Sequence, residues 1–358
     1  MNKILFVMEK YCDGDPRCGA TNSESMLVGA IQSTGLVKQT AQFYYDVVCH
    51  KVGQHRMSEL LLEKCVEYRP DLVIFTPMFG SLDPLGGAIY QIANVLGIKV
   101  YTQTFDFFPF RIDWCLPLAN YVGIIDMLSI PSKYWGNPKI IQGYASVNPR
   151  EFYNKGLKRD IDISFVGSVD SVDSEGRRWP LRYEYIDFLK KNGIDVVTCG
   201  GQRSDRISTE DYINILNRSK ISLNFCRRAD GVSQLKARVF EAMACKSFVL
   251  EDEGLETQHF FDIGTDLMSF HSKKDLLEKV LYYLSHDKER EEIAQSGYEK
   301  VTNLYNATNM WAYIFGKMGF EQPGALGTDE NYLLHHVKME SLTYYRDGKR
   351  PFCACAYH

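Results

Sequence analysis

The chain has 358 residues, 45% hydrophobic and 24% charged, the balance of a globular protein with room for two domains of ordinary size. Its formal net charge of -4 and pI near 6.1 argue against a broad electrostatic grip on nucleic acid or anionic lipid. No apolar run is long enough to span a membrane, and Ile4–Met8 is too short for a signal-peptide core. The cysteines are scattered without C-x-x-C spacing, so reduced thiols in a cytoplasmic protein are expected, and no zinc site.

Lys3–Met8 (KILFVM) has the continuous apolar pattern of a buried parallel strand. A turn-rich loop follows, then a helix from about Ser23. Gly19, Thr21 and Asn22 stand just before that helix, where small residues permit close approach of a ligand, although the spacing is not G-x-G-x-x-G. Further strands are expected at Gln42–Val48, Leu72–Thr76, Lys99–Gln103 and Val122–Ile125, with helices at Met57–Tyr68 and Leu85–Leu96 between them. That alternation means a doubly wound α/β domain, whose ligands meet the loops after the carboxyl ends of the strands. The loops in question are Tyr11–Asn22, Pro77–Gly87 and Thr104–Trp114. The last sets Asp106, Arg111 and Asp113 among aromatic residues. Rings stack on the C–H faces of a sugar while carboxylates take its hydroxyls, and an apolar setting makes a carboxylate a better base. The alternative is that the rings plug a seam and Asp106 caps a turn. Ser132–Asn154, dense in Gly, Pro, Asn and Ser, is where the chain divides. The first domain is placed at residues 1–150, the second at 151–320, and a tail without assigned chemistry at 321–358.

In the second half, the strand Ile161–Val166 ends in Gly167–Ser168, and a helix Leu181–Lys191 lies beyond a polar loop. Glycine directly after a strand lets backbone approach a phosphate or sugar, with Arg177, Arg178 and Arg182 at hand to neutralise charge. An exposed basic loop fits the same residues. Asp170 and Asp173 resemble a metal-binding pair only loosely, and no metal is assigned. Val196–Cys199 is the next strand and ends in Gly200–Gly201; Ser208 caps a helix over Tyr212–Asn217. The stretch from Ser219 to Asp252 is the most informative. Ile221, Leu223 and Phe225 alternate with Ser222, Asn224 and Cys226 in a strand. Ser233 caps a helix starting near Leu235, with Leu235, Val239, Ala242 and Met243 on one stripe; Ser247–Glu251 is a second strand. Lys236, Arg238 and Glu241 fall in the first two turns of that helix, Arg238 and Glu241 on one face. An arginine at a helix start suits a phosphate, and a carboxylate one turn deeper suits the hydroxyls of a ribose. An ordinary surface ion pair would have the same spacing. A strand at Leu267–Phe270 and helices at Lys273–Ser285, Lys288–Asn303 and Asn309–Met318 complete the reading.

Together, KARVFEAMACKSFVLED, LEKVLYYLSHDKEREEIAQSGYEKV, the strand ending FVGS at Phe165–Ser168 and the junction GYASVNPREFYN resemble the donor half of GT-B glycosyltransferases, nearest the CgeB-like, group 1 enzymes. The resemblance covers about residues 160–305, and residues 1–150 in architecture only. It implies two Rossmann-like doubly wound domains facing across a cleft. The second would hold a nucleotide-sugar, a UDP-sugar being typical; the first would meet an unidentified carbohydrate or other hydroxyl acceptor through Gly19, Asn22, Arg111 and Asp113. Position by position, Glu241 would bind the ribose and Arg238, helped by Lys236 or Arg178, the diphosphate. Gly167 and Ser168 would line the phosphate or sugar site, and Gly200–Gly201 would lie near the base. No cofactor and no metal are implied. Retaining members carry two glutamates separated by seven residues, whereas Ser233 stands eight before Glu241, which leaves the stereochemistry open. For an inverting reaction the acceptor-side base is assigned to Asp106, ahead of Asp13 and Asp15. A nucleotide-sugar epimerase of the same architecture and a catalytically silent carbohydrate-binding relative are the alternatives.

Overall fold

The apolar run at the start of the chain forms β1 (Lys3–Met8), whose residues from Ile4 onward are fully buried, as a parallel strand covered on both faces must be. A computed structural model describes residues 1–77, 83–104, 109–125, 132–134, 136–169, 180–200, 207–227, 233–254 and 256–320. After β1 come a π-helix over Glu24–Gly29 continuing as α1 (Ala30–Ser33), β2 (Gln39–Tyr44), α2 (Tyr45–Tyr68), β3 (Leu72–Phe75) and α3 (Asp83–Asn94). Then follow β4 (Lys99–Thr104), α4 (Pro109–Cys115), β5 (Tyr121–Ile124) and β6 (Ile140–Gln142). These strands make one parallel sheet in the order β2-β1-β3-β4-β5-β6.

Local readings shift where tertiary contacts outweigh propensity. The strand expected at Gln42–Val48 stops at Tyr44, and α2 begins at once. Asp46 in its first turn accepts the backbone N–H groups of Lys10 (2.9 Å) and Tyr11 (3.0 Å), an anchor that overrides the strand preference of Val47 and Val48. Gly53, at φ 79, kinks α2, so the helix read at Met57–Tyr68 is only its second part. β6 lies within the stretch read as a junction.

The second sheet is built from β7 (Ile161–Val166), α5 (Pro180–Lys191), β8 (Val197–Cys199), α6 (Thr209–Arg218), β9 (Ser219–Asn224), α7 (Ala237–Ala244) and β10 (Phe248–Asp252). It ends with α8 (Thr257–Phe260), β11 (Met268–Phe270), α9 (Lys273–Ser285) and α10 (Asp287–Asn303). Its strands are again parallel, in the order β11-β10-β9-β7-β8. Both sheets are doubly wound α/β, as the alternation of strands and helices predicts. Ser208 caps α6, accepting the Asp211 N–H at 3.0 Å. α7, by contrast, starts at Ala237 rather than Leu235 and has Lys236, not Ser233, at its N-cap. Ser233 is instead bridged to Arg227 across the preceding loop.

The last helix, α11 (Ala307–Lys317), groups with residues Met1–Arg150, while Glu151–Asn306 forms the other unit. Sequence reading leaves this helix in the second domain. Its apolar face settles the matter: Trp311 packs edge-on against Tyr101 of β4 at 6.1 Å, and Met310 and Ile314 lie beside Gly143. Among the described residues no helix is long and apolar enough to cross a membrane.

One half-buried guanidinium closes the second unit at the amino edge of its sheet. Arg159 donates from Nη1 to the carbonyls of Leu216 and Ser219 (2.8 Å each), and from Nη2 to those of Cys245 (2.9 Å) and Lys246 (2.5 Å). It thereby adds a side-chain donor to carbonyls at the ends of both α6 and α7, where intrahelical partners run out. Lys246, just past α7, has φ 56, a left-handed conformation that glycine adopts without strain. Arg159→Met is expected to lower unfolding free energy by about 3 kcal/mol by stranding these carbonyls. Lys246→Gly should raise it by about 0.5 kcal/mol or more. Urea denaturation followed by circular dichroism checks both, and matching midpoints for Arg159→Met and the unaltered protein would show the carbonyls satisfied elsewhere.

Candidate functional site

Strand order in the second sheet reverses between β7 and β9, and an open α/β sheet binds its ligand outside the carboxyl ends of the strands at such a switch point. Gly167 follows β7 there, Asn224 ends β9, and Arg238 and Glu241 enter from α7. Gly167 has φ 153, and a Cβ on it would lie 2.9 Å from Arg238 Nη1, so the guanidinium occupies room that only glycine leaves. Gly200 packs directly behind Gly167, whose N–H donates to the Cys199 carbonyl at 2.8 Å.

Arg238 is half-buried. Its Nε donates to Asn224 Oδ1 at 3.1 Å, and its guanidinium lies 5.6 Å from the centre of the Phe165 ring. Arg182 from α5 reaches the same ring at 5.9 Å, while its Nη1 donates to the Ser168 carbonyl at 3.0 Å. Burial, and then the charge of Arg238, bring the Arg182 pKa down to about 10. Two guanidiniums against one aromatic ring bring positive charge beside two glycines.

Glu241, one turn beyond Arg238, is only 5% exposed and does not pair with it. Its Oε2 accepts from the Tyr212 hydroxyl of α6 at 2.5 Å, and Tyr212 is itself set edge-on against Phe152 at 5.9 Å. Burial raises the Glu241 pKa; the Tyr212 hydrogen bond and the Arg238 charge oppose the shift. The surface ion pair that the spacing also allowed is therefore not formed. A small pocket bounded by Val166, Tyr212, Leu223, Asn224, Arg238 and Ala242 separates these groups.

A layer of buried carboxyls lies beneath. Glu251 of β10 accepts from Asn224 Nδ2 at Oε1 and from Thr257 Oγ1 (2.5 Å) at Oε2. Burial pushes its pKa up to about 8, with Asp252 adding to the rise and the hydrogen bonds limiting it. Asp252 accepts the Cys226 N–H, and Glu256 accepts the Leu235 N–H at 2.8 Å. Both ends of the loop between β9 and α7 are thus pinned by carboxylates.

Gly167, Ser168, Gly200, Arg238 and Glu241 share one end of the second sheet. Lys236 at the N-cap of α7 donates from Nζ to Gln234 Oε1. Arg178, Gly201 and Asp106 lie outside the described residues. In the first unit, Gly19 (φ 78) closes the loop in which Tyr11 bridges Ala20, and the Asn22 carbonyl accepts the Met26 N–H at 2.9 Å. Arg111 is on α4; Asp113, exposed on the same helix, pairs with Lys133 (2.8 Å) and accepts from the Tyr134 hydroxyl (2.7 Å). Asp13 falls in a short 3-10 turn, and Asp15 pairs with Arg17 at 2.7 Å. Among the described residues no group of three His, Cys, Asp or Glu is placed to hold a metal ion. Tyr212, Asn224, Glu251 and Thr257 are site residues that sequence reading passes over.

Residues 151–316 match the family model described as glycosyl transferase-like. This part of the chain resembles a glycosyl transferase-like domain. No curated protein matches the chain. Among solved structures, the fold is similar to that of Anabaena HepE in complex with UDP and glucose, at 9% identity and a TM-score of 0.56, over 88% of this chain and 99% of that one. Sucrose-phosphate synthase from Thermosynechococcus elongatus is similar at 12% identity and TM-score 0.56, over 89% and 98%. A glycosyltransferase from Rickettsia africae is similar at 11% identity and TM-score 0.55, over 94% and 98%. The transferase-like domain and its companion thus share the GT-B fold of these enzymes.

Two expectations follow for the transferase-like domain. Tyr212→Phe, which removes the donor to Glu241, should lower its stability by about 1–2 kcal/mol in urea denaturation; no change would mean that the hydrogen bond contributes nothing net. Glu251 has a folded pKa of about 8, above its ordinary 4.5. The stabilisation tied to its protonated form is complete below the ordinary value and is lost as pH rises through about 8. Glu251→Gln should flatten the fall in melting temperature across that window; superimposable pH profiles would assign the titration to another group.

Proposed function

We propose that the protein is a cytoplasmic glycosyltransferase that moves a sugar from a nucleotide-sugar, a UDP-sugar, to an acceptor hydroxyl without a metal ion or cofactor. The observation that carries this reading is Arg238: half-buried at the switch point, steered by Asn224 rather than paired with Glu241, and directed at Gly167. In this reading the Nη atoms of Arg238 meet the diphosphate, with Gly167 and Ser168 giving it room and Lys236 and Arg178 adding charge. As the bond from sugar to phosphate breaks, negative charge grows on the leaving diphosphate, and a fixed guanidinium stabilises it more than it does the ground state. Glu241, with Oε2 taken by Tyr212, offers Oε1 to the ribose hydroxyls. Gly200 and Gly201 lie beside the base. Asp106 is the proposed acceptor-side base of an inverting reaction, and Gly19, Asn22, Arg111 and Asp113 are the proposed acceptor contacts. The likeness to HepE, solved with UDP and with UDP-glucose, supports the choice of nucleotide.

Arg238→Ala should weaken UDP binding by about 10- to 100-fold, the worth of one or two charge-assisted hydrogen bonds. Isothermal titration measures it, and unchanged affinity would remove Arg238 from the donor site. Incubation with a UDP-sugar alone separates the competing functions. A transferase releases UDP slowly by hydrolysis, an epimerase converts the sugar without an acceptor, and a silent binder does neither.

A further inference from the structure

We infer that Asn224, clamped by Glu251, is a positioning residue that sets the direction in which Arg238 presents its guanidinium to a bound diphosphate; the inference rests on the donor reading above. Asn224 and Glu251 are register partners on the adjacent central strands β9 and β10, 3% and 1% exposed. Central strands covered on both faces ordinarily carry aliphatic side chains there, and a buried polar pair that only filled space would be replaced by them without loss.

The hydrogen bonds run in one sense. Thr257 Oγ1 donates to Glu251 Oε2, Asn224 Nδ2 donates to Glu251 Oε1, and Arg238 Nε donates to Asn224 Oδ1. Reversing the Asn224 amide would put its NH2 against a guanidinium, which has donors only, so Arg238 fixes the orientation. A guanidinium is planar, and holding Nε on one acceptor fixes the line along which the two Nη atoms point. Here Nη1 points to the space left by the missing side chain of Gly167, at the carboxyl end of β7. Asn224 touches no reacting atom in this scheme and acts only through Arg238.

The test compares UDP with UMP by isothermal titration on the full chain, melting temperature being recorded for each variant. Asn224→Ala should weaken UDP about tenfold and UMP less than threefold, because only the diphosphate needs the aimed guanidinium. A purely structural role would weaken both nucleotides alike, and that result overturns the inference. The exchanged pair Asn224→Asp with Glu251→Gln keeps an acceptor for Arg238 Nε and supplies a donor to it from the glutamine amide. It should return UDP affinity to within about threefold of the unaltered protein. A folded double variant still as weak as Asn224→Ala also overturns the inference. Arg238→Ala separates the two levels. If it leaves UDP affinity unchanged, the donor reading falls; if it weakens UDP while Asn224→Ala does not, only the positioning role falls.

Discussion

A single arginine at the amino edge of the second sheet makes the site at the carboxyl edge possible. In a parallel sheet the covering helices run against the strands, so the helix ends lie at one edge and the helix starts at the other. Arg159 gathers carbonyls from the end of α6, the start of β9 and the end of α7. Both helices are thereby tied to the residues that enter β7. Their starts, carrying Tyr212 and Arg238, are held at the opposite edge. The guanidinium remains charged although burial depresses its pKa. Four carbonyl dipoles are what compensate a cation taken out of water, and only a group with a fixed fork of donors could serve them together.

The same economy of charge governs the switch point. Arg182 and Arg238 flank Phe165, and the carboxyls of Glu251, Asp252 and Glu256 lie one layer below, each occupied by a neighbour's N–H or O–H. The guanidiniums lie at the carboxyl edge of the sheet, and the carboxyls are buried beneath them. Burial disfavours the ionised forms of Glu251 and Asp252.

Much of this is legible in the sequence, for identifiable reasons. The runs Ile4–Met8 and Leu72–Phe75 announce parallel strands because both faces of such strands are covered. Arg238 and Glu241 are found by helical spacing alone. Asn224 is lost because alternation with Leu223 and Phe225 reads as a half-exposed strand, whereas Ser222, Asn224 and Cys226 are all buried under α6 and α7 or the loop beyond. A central strand of a doubly covered sheet cannot leave an amide unpartnered, and Glu251 on the neighbouring strand was the available clue. Tyr212 is hidden differently: a helical tyrosine is normally a packing residue, and nothing local says that its hydroxyl meets a carboxylate from another helix. The start of α7 is misjudged because Leu235 gives its N–H to Glu256, a partner twenty-one residues away.

The return of α11 to the first unit has a consequence for biosynthesis. Trp311 covers Tyr101, and Met310 and Ile314 cover the backbone at Gly143, so the amino-terminal sheet lacks one wall until translation has passed these residues. The second unit's strands, β7 to β11, all precede that wall in the chain. As the nascent chain leaves the ribosome, the amino-terminal half, although made first, stays open until every strand of the second has been synthesised.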